Sequence, residues 1–160
     1  MIHTAGQKHI RSLGILLSAT LLTACTGTRP VDIGILDNQL TPCPDSPNCV
    51  SSYEDKKDET HYIDALVIKG DNPQQAWSSL QSLIKQNSNA EIIKQDDHYI
   101  YAEYTSSIMR FVDDTEFLLD KENNRVQLRS ASRLGHKDFG VNRERLEAIR
   151  AELQKQNIVN

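Results

Sequence analysis

With 160 residues, 22 acidic against 18 basic side chains and a formal net charge of −4, the chain is long enough for one domain with its own core. It is too acidic for a general nucleic-acid role, because phosphate binding needs a basic surface. Residues 1–24 hold Lys8 and Arg11 and no acid, so a chain that loses them carries −6, and such a body gains no adsorption to anionic headgroups from charge alone.

Lys8 and Arg11 precede the uncharged stretch Ser12–Ala24, which closes as Leu22-Thr23-Ala24-Cys25. A basic start, an apolar middle and small residues before a processing point are the parts of an export signal. The cysteine at that point makes the stretch resemble the bacterial lipobox. The resemblance implies that residues 1–24 are a lipoprotein signal peptide, that Cys25 is acylated and becomes the first residue, and that lipid anchors the chain to a membrane. Two alternatives compete. A membrane-spanning anchor needs about 20 apolar residues, well beyond Ser12–Ala24, and an ordinary secretory signal makes Cys25 a coincidence. Thr26 stands where an aspartate commonly retains lipoproteins in the inner membrane, which favours the periplasmic face of the outer membrane.

Residues 25–41 carry Gly27, Pro30 and Gly34 with no sustained period and read as a tether. The body then spans 42–156. It opens on Cys43-Pro44-Asp45-Ser46-Pro47-Asn48-Cys49, where two prolines and three turn-forming polar residues fold the segment back on itself. With Cys25 taken by lipid in an oxidising compartment, Cys43 and Cys49 are an even pair and a disulfide is expected. A metal site needs further ligands, and His61, His98 and His136 are scattered. A redox pair of the Cys-x-x-Cys kind has two intervening residues, not five.

Charged residues 54–59 read as a solvated loop and Tyr62–Lys69 as a first strand. Asn72-Pro73 starts a helix in which Ala76, Trp77, Leu80, Leu83 and Ile84 form one stripe. On that stripe Trp77 reads as core rather than as a ligand platform. Glu91–Lys94 and His98–Thr105 form a hairpin around Asp96-Asp97, with Ile100, Ala102 and Tyr104 on one face. Phe111–Leu119 and Arg125–Arg133 form a second hairpin, and a helix from about Arg143 to Gln156 follows, capped by Asn142. The order β-α-β-β-β-β-α gives an α+β single domain, an antiparallel sheet of about five strands with two helices on one face.

The second hairpin concentrates the polar chemistry. Pairing across its turn sets Glu116 opposite or diagonal to Arg129, and puts Asp113, Thr115, Ser130 and Ser132 in line with Phe117, Leu119, Val126 and Leu128. A core-facing row that turns polar must satisfy its own hydrogen bonds or meet a ligand. After it, Arg133 to Arg143 is a glycine-punctuated loop running into a helix amino terminus, the kind of backbone that can approach an anion.

Cys43-Pro44, Ser46-Pro47-Asn48-Cys49-Val50-Ser51-Ser52, then Arg110-Phe111-Val112-Asp113-Asp114 with Glu116-Phe117, then Arg129 to Arg133 with Gly135, Asp138, Gly140, Asn142, Arg143 and Arg145 resemble the DUF1499 family over about residues 40–155. The resemblance implies the domain limits and the grouping of the three motifs, and it implies no mechanism.

Three functional classes remain. Asp113, Asp114, Glu116, Arg129, Ser130, Ser132, Arg133, Asp138, Asn142 and Arg143 form either a structural polar network or part of a pocket for an anionic or amphiphilic ligand, since arginine forks grip carboxylate and phosphate. Catalysis is the weakest class. Asp113 and Asp114 are adjacent on a strand and face opposite ways. Ser130 and Ser132 lack a Gly-x-Ser-x-Gly elbow, and His136 with Asp138 two positions on reads as a solvated loop pair. No His-Glu-x-x-His or Gly-x-x-x-x-Gly-Lys occurs, so no metal, cofactor or nucleotide is expected. The reading is an envelope lipoprotein whose body is a binding or scaffolding module for a protein or small-molecule partner, with an envelope hydrolase or amphiphile carrier as the alternative.

Overall fold

A computed structural model describes residues 27–160; Cys25 and the expected signal peptide lie outside the described residues. Strands β1 (Ile35–Leu36) and β2 (Gln39–Leu40) pair antiparallel around Asp37 and Asn38, both with left-handed backbone. Asp and Asn tolerate that conformation better than other side-chain-bearing residues, and a two-residue hairpin turn requires it.

The main sheet has six strands: β3 (Cys49–Ser51), β4 (Leu66–Val67), β5 (Ala90–Gln95), β6 (Tyr99–Thr105), β7 (Val112–Asp120) and β8 (Arg125–Ser132). Its order is β3-β8-β7-β6-β5, with β4 also on β8, and every strand pair is antiparallel. The expected first strand, Tyr62–Lys69, contracts to β4. The free edge of β8 is shared: Arg129–Ala131 pair with β3, leaving Arg125 and Val126 for β4. Tyr62 and Ile68 make only isolated bridges, to Ser51 and Val159.

Helix α1 (Pro73–Gln86) begins where the Asn72 side chain accepts from the Gln75 N–H, with Pro73 in the first turn. Its stripe of Ala76, Trp77, Leu80 and Ile84 is buried against Ile100, Ala102, Phe117, Val126 and Leu128 of the sheet. Trp77 is a core residue, its indole N–H donating to the Asp96 carbonyl at 3.3 Å. Helix α2 (Val141–Lys155) lays Leu146, Ile149 and Leu153 into the same core. Large side chains buried this way stabilise by roughly 1.5–3 kcal/mol each. The fold is therefore an α+β single domain with both helices on one face of a mostly antiparallel sheet.

The start of α2 differs from the sequence expectation. The helix begins at Val141, its N-cap is Gly140 in the left-handed region, and Asn142 is not the cap. Asp138 takes that part, accepting from the backbone N–H groups of Gly140 at 3.0 Å and Asn142 at 2.9 Å. A carboxylate there complements the positive end of the helix.

On the sheet's other face, Tyr99, Tyr101 and Leu118 form a second, smaller cluster with Leu40, against which Ile33, Tyr53 and Ile93 pack. The described part of the expected tether, residues 27–41, thus lies across the outer face of the sheet. The reason is in its residues: Ile33 and Leu40 offer apolar surface, and Arg29 reaches Glu103.

Candidate functional site

Strand alternation sorts the polar residues of the second hairpin onto two faces. On the outer face, two rows run across β6, β7 and β8. In the first, the Tyr99 hydroxyl donates to Glu116 Oε1 at 2.7 Å and Arg129 Nη1 donates to Glu116 Oε2 at 3.0 Å. In the second, the Tyr101 hydroxyl donates to Asp114, and Arg133 Nε reaches both Asp114 oxygens at 3.1 and 2.9 Å. Arg133 also pairs with Glu103, which Arg29 caps from the other side. Burial pushes Glu116 above the usual carboxylate range despite Arg129, and pushes the Tyr99 and Tyr101 hydroxyls up. Arg133 is held further above its ordinary value by its bond to Asp114.

On the core face the apolar row ends in Thr115, Ser130, Asp113 and Ser132, and the first turns of α2 complete it. Ser130 Oγ bonds Thr115 Oγ1 at 2.9 Å and donates to Asn142 Oδ1 at 2.6 Å. The Asn142 amide donates to the Asn48 carbonyl, Ser132 Oγ and Asp138. Arg145 donates to Ser130, Asn142 and Asp113. Asn142 ties α2 to the loop that Cys43 and Cys49 close by a disulfide; Asn48 in that loop also donates to the carbonyls of Ser132 and Gly135.

Asp113 and Asp114 face opposite ways, Asp113 to Arg145 and Asp114 to Arg133. The residues expected to form one polar network divide between the two faces of the sheet, and two further details differ. Arg143 leaves it, donating to the carbonyls of Glu59, Thr60 and Tyr62. The glycine loop does not present free N–H groups to an external anion, because the Asp138 carboxylate already occupies them. His136 is exposed, and Asp138 is committed to α2. Arg129, Arg133 and Asp138 do not meet one another; Glu116 holds the first, Asp114 and Glu103 the second, and Asn142 with the Gly140 N–H the third, while Arg129 Nε is buried without a partner among the described residues.

A different site emerges beside this network. Leu83, Gln86 and Asn87 of the α1 end, Ala148, Ile149 and Glu152 of α2, and Tyr104 with Arg145 line a cleft of about 300 Å³. Its lining is mixed: Leu83, Ala148 and Ile149 are apolar, Gln86, Asn87 and Glu152 are polar, and Arg145 lies 4.8 Å over the Tyr104 ring. Asp113, Ser130 and Asn142 hold that guanidinium in place. The Tyr104 hydroxyl is buried with no hydrogen-bond partner among the described residues, and burial pushes it up to about 12, so it is a donor at neutral pH. Stranding a buried hydroxyl costs about 1–3 kcal/mol.

A larger concavity of about 680 Å³ lies under the β1–β2 ribbon beside Asp97, His98 and Asp120, but Asp120 is already paired with Arg125 and, among the described residues, no orphaned buried group lines it.

Sequence reading placed Tyr104 on the core face and Arg145 in a motif without assigning either to a site. The signal that was available is the alternation of Tyr99, Tyr101 and Tyr104: two tyrosines fall on the outer face with the acids, and the third falls inward, toward the helices.

No curated protein and no solved structure matches the chain. The family model described as "Protein of unknown function (DUF1499)" matches residues 39–153. Those limits enclose the disulfide loop, both hairpins and nearly all of α2, and the chain belongs to the DUF1499 family.

Proposed function

We propose that this protein is a bacterial envelope lipoprotein, anchored through an acylated Cys25 on the periplasmic face of the outer membrane, whose body is a non-catalytic binding module. The observation that carries the binding part is the α1–α2 cleft with its orphaned Tyr104 hydroxyl beside Arg145. Apolar side chains from both helices together with a paired cation, and an unpartnered Tyr104 hydroxyl buried just beneath the cleft surface, fit an amphiphilic small molecule with an acceptor oxygen in its head. Arg145 is already neutralised by Asp113, so the site suits an ester or hydroxyl head better than a bare dianion. Support for the anchor is the Leu22-Thr23-Ala24-Cys25 segment, and the disulfide fits an oxidising compartment.

The test compares full-length chains recovered from bacterial envelopes by native mass spectrometry. Cys25→Ser is expected to abolish acylation and leave uncleaved precursor; normal processing of that variant defeats the anchor. Ala148→Trp fills the cleft from an exposed helix position and is expected to remove a small amphiphile that copurifies with the parent chain. Retention of the same molecule by the filled variant, or no bound molecule in the parent, defeats the binding reading.

A further inference from the structure

Ten large apolar side chains are exposed among the described residues, and six of them sit at one end of the molecule: Ile108, Met109, Phe111, Leu134, Phe139 and Val141. They come from two separate connections, the β6–β7 loop and the β8–α2 loop. Both leave the same end of the sheet, where the Ser106 N–H donates to the Phe111 carbonyl and the Arg133 N–H to the Val112 carbonyl. Phe139 is 92% and Ile108 89% exposed. Phe139 and its counterpart Arg110 in the other loop hold left-handed backbone, φ 56° and 58°, a conformation that is uncommon and strained for bulky residues.

The two loops also differ in charge from the body, although Glu144 in the first turn of α2 and Asp45 in the disulfide loop stand exposed beside them. The two loops display Arg110, His136 and Lys137 to solvent, and their one acid, Asp138, is turned inward onto α2. An apolar tip with a cationic fringe on an otherwise acidic body is the pattern of an interfacial membrane contact, where aromatic and aliphatic side chains enter the headgroup boundary and cations meet lipid phosphate.

The chain end selects the occupant. Gly27, the first described residue, packs so closely on this tip that a Cβ there would lie 2.9 Å from Arg133 Cβ and 3.2 Å from Leu134 Cγ. Cys25 is two residues upstream, a reach of at most about 7 Å. Because residues 27–41 are laid along the sheet rather than paid out as a free spacer, an acyl group on Cys25 would enter the bilayer beside Phe139 and Leu134. The α1 wall of the cleft ends at the same pole, since Asn89 accepts from the Thr105 N–H and Ala90 pairs with Tyr104.

We infer that the Ser106–Phe111 and Leu134–Val141 loops form a bilayer-docking tip that seats the body on the membrane with the α1–α2 cleft close to the lipid surface. The orientation rests on the Cys25 anchor; the apolar contact does not.

The experiment uses the full-length chain purified from envelopes and reconstituted into phosphatidylethanolamine and phosphatidylglycerol vesicles, with and without lipid brominated near the headgroup. Trp reporters are placed singly by Phe139→Trp and Ile108→Trp at the tip, and by Val67→Trp at the opposite end of the β7–β8 hairpin; the native Trp77 is buried and constant. Phe139→Trp and Ile108→Trp are each expected to lose emission to brominated lipid while Val67→Trp does not, and adding Ile108→Glu to the Phe139→Trp chain is expected to abolish its quenching. Quenching at neither tip position, or equal quenching at Val67→Trp, overturns the proposal. So does a tip emission that responds to protein concentration rather than to brominated lipid, which would assign the surface to a second copy of the chain. The intact mass of each sample reads the anchor separately. An acylated chain with an unquenched tip leaves the anchor standing and the docking tip refuted, whereas an unacylated chain whose tip is quenched on sedimented vesicles does the reverse.

Discussion

Arg129 and Glu116 show how little a buried ion pair says by itself about stability. Both side chains are almost wholly removed from water, at 6% and 0% exposure, and the pair is joined by one hydrogen bond while Arg129 Nε has no partner among the described residues. Desolvation dominates Glu116, which is why its carboxyl is held above the ordinary range even with a guanidinium beside it. In such a site the penalty for removing one partner exceeds the worth of the pair, because the survivor is left uncompensated. Arg129→Ala is therefore expected to lower unfolding free energy by about 3–5 kcal/mol. Replacing the whole row together, Arg129→Met with Glu116→Leu and Tyr99→Phe so that no buried hydroxyl loses its acceptor, is expected to restore most of that loss. Chemical denaturation of the two variants decides the matter: a single variant within error of the parent would mean that water reaches Glu116 and that the row is not a closed structural unit.

At the level of elements, what was legible in the sequence was whatever repeats. The stripe of α1, the two hairpins and the facing of Glu116 and Arg129 all follow from periods of 3.6 and 2, and the disulfide follows from cysteine count and compartment. Elements set by competition for a partner edge were not legible. Tyr62–Lys69 has the composition of a strand, yet it pairs with β8 only at Arg125 and Val126, because β3 takes Arg129–Ala131 and Ser52 takes Leu128, and no local pattern announces that Cys49–Ser52 will claim that edge. Asn142 has the chemistry of a helix cap, but its amide is used to bind Asn48, Ser132 and Asp138, and Asp138 caps instead. The disulfide loop is also held from the far side. His61 Nδ1 meets Asp58 at 2.7 Å and its Nε2 faces the Ser46 carbonyl at 3.3 Å, clasping the Cys43–Cys49 loop to the 54–62 segment. The Asp58 carboxylate raises His61 above its ordinary 6.5, opposed by partial burial and aided by Ser46 and Glu54. A folded value above the unfolded one means that the native state binds the proton more tightly. The clasp's contribution is thus complete below 6.5 and is lost as pH rises through the raised folded value. Melting temperature measured between about pH 5.5 and pH 8 is expected to fall more steeply in the parent than in His61→Gln. Parallel profiles would place the pH dependence elsewhere.

For the whole molecule, the segment that precedes the first main-sheet strand decides how the body is presented. A free run of residues 27–41 would let the domain wander tens of ångströms from its attachment point, since each extended residue adds about 3.3–3.6 Å. Docked along the outer face, the same residues seal Tyr99, Tyr101, Glu103 and Glu116 from water. The seal has two fastenings, Arg29 on Glu103 at the tip end and Leu40, 2% exposed, among Tyr99, Tyr101 and Leu118 further along. Arg29 is more than half exposed in its side chain, and surface pairs of that kind contribute about 0–1 kcal/mol, so the apolar fastening carries most of the docking. Leu40→Ala leaves a cavity in that cluster, which for leucine costs about 2–5 kcal/mol in a well-packed core and toward the lower figure in a cluster this small. Because the loss falls on the strap rather than on the helix-covered core, it is expected to release the strap before the body unfolds. Limited proteolysis is expected to cut Leu40→Ala within residues 28–38 under conditions that leave the parent intact, with Trp77 fluorescence unchanged in both. If cleavage of that segment is equally fast in the parent, the strap is not fastened to the sheet. If it appears only together with loss of the Trp77 signal, strap and core are one cooperative unit, and the position of this segment is set by global stability rather than by its own fastenings.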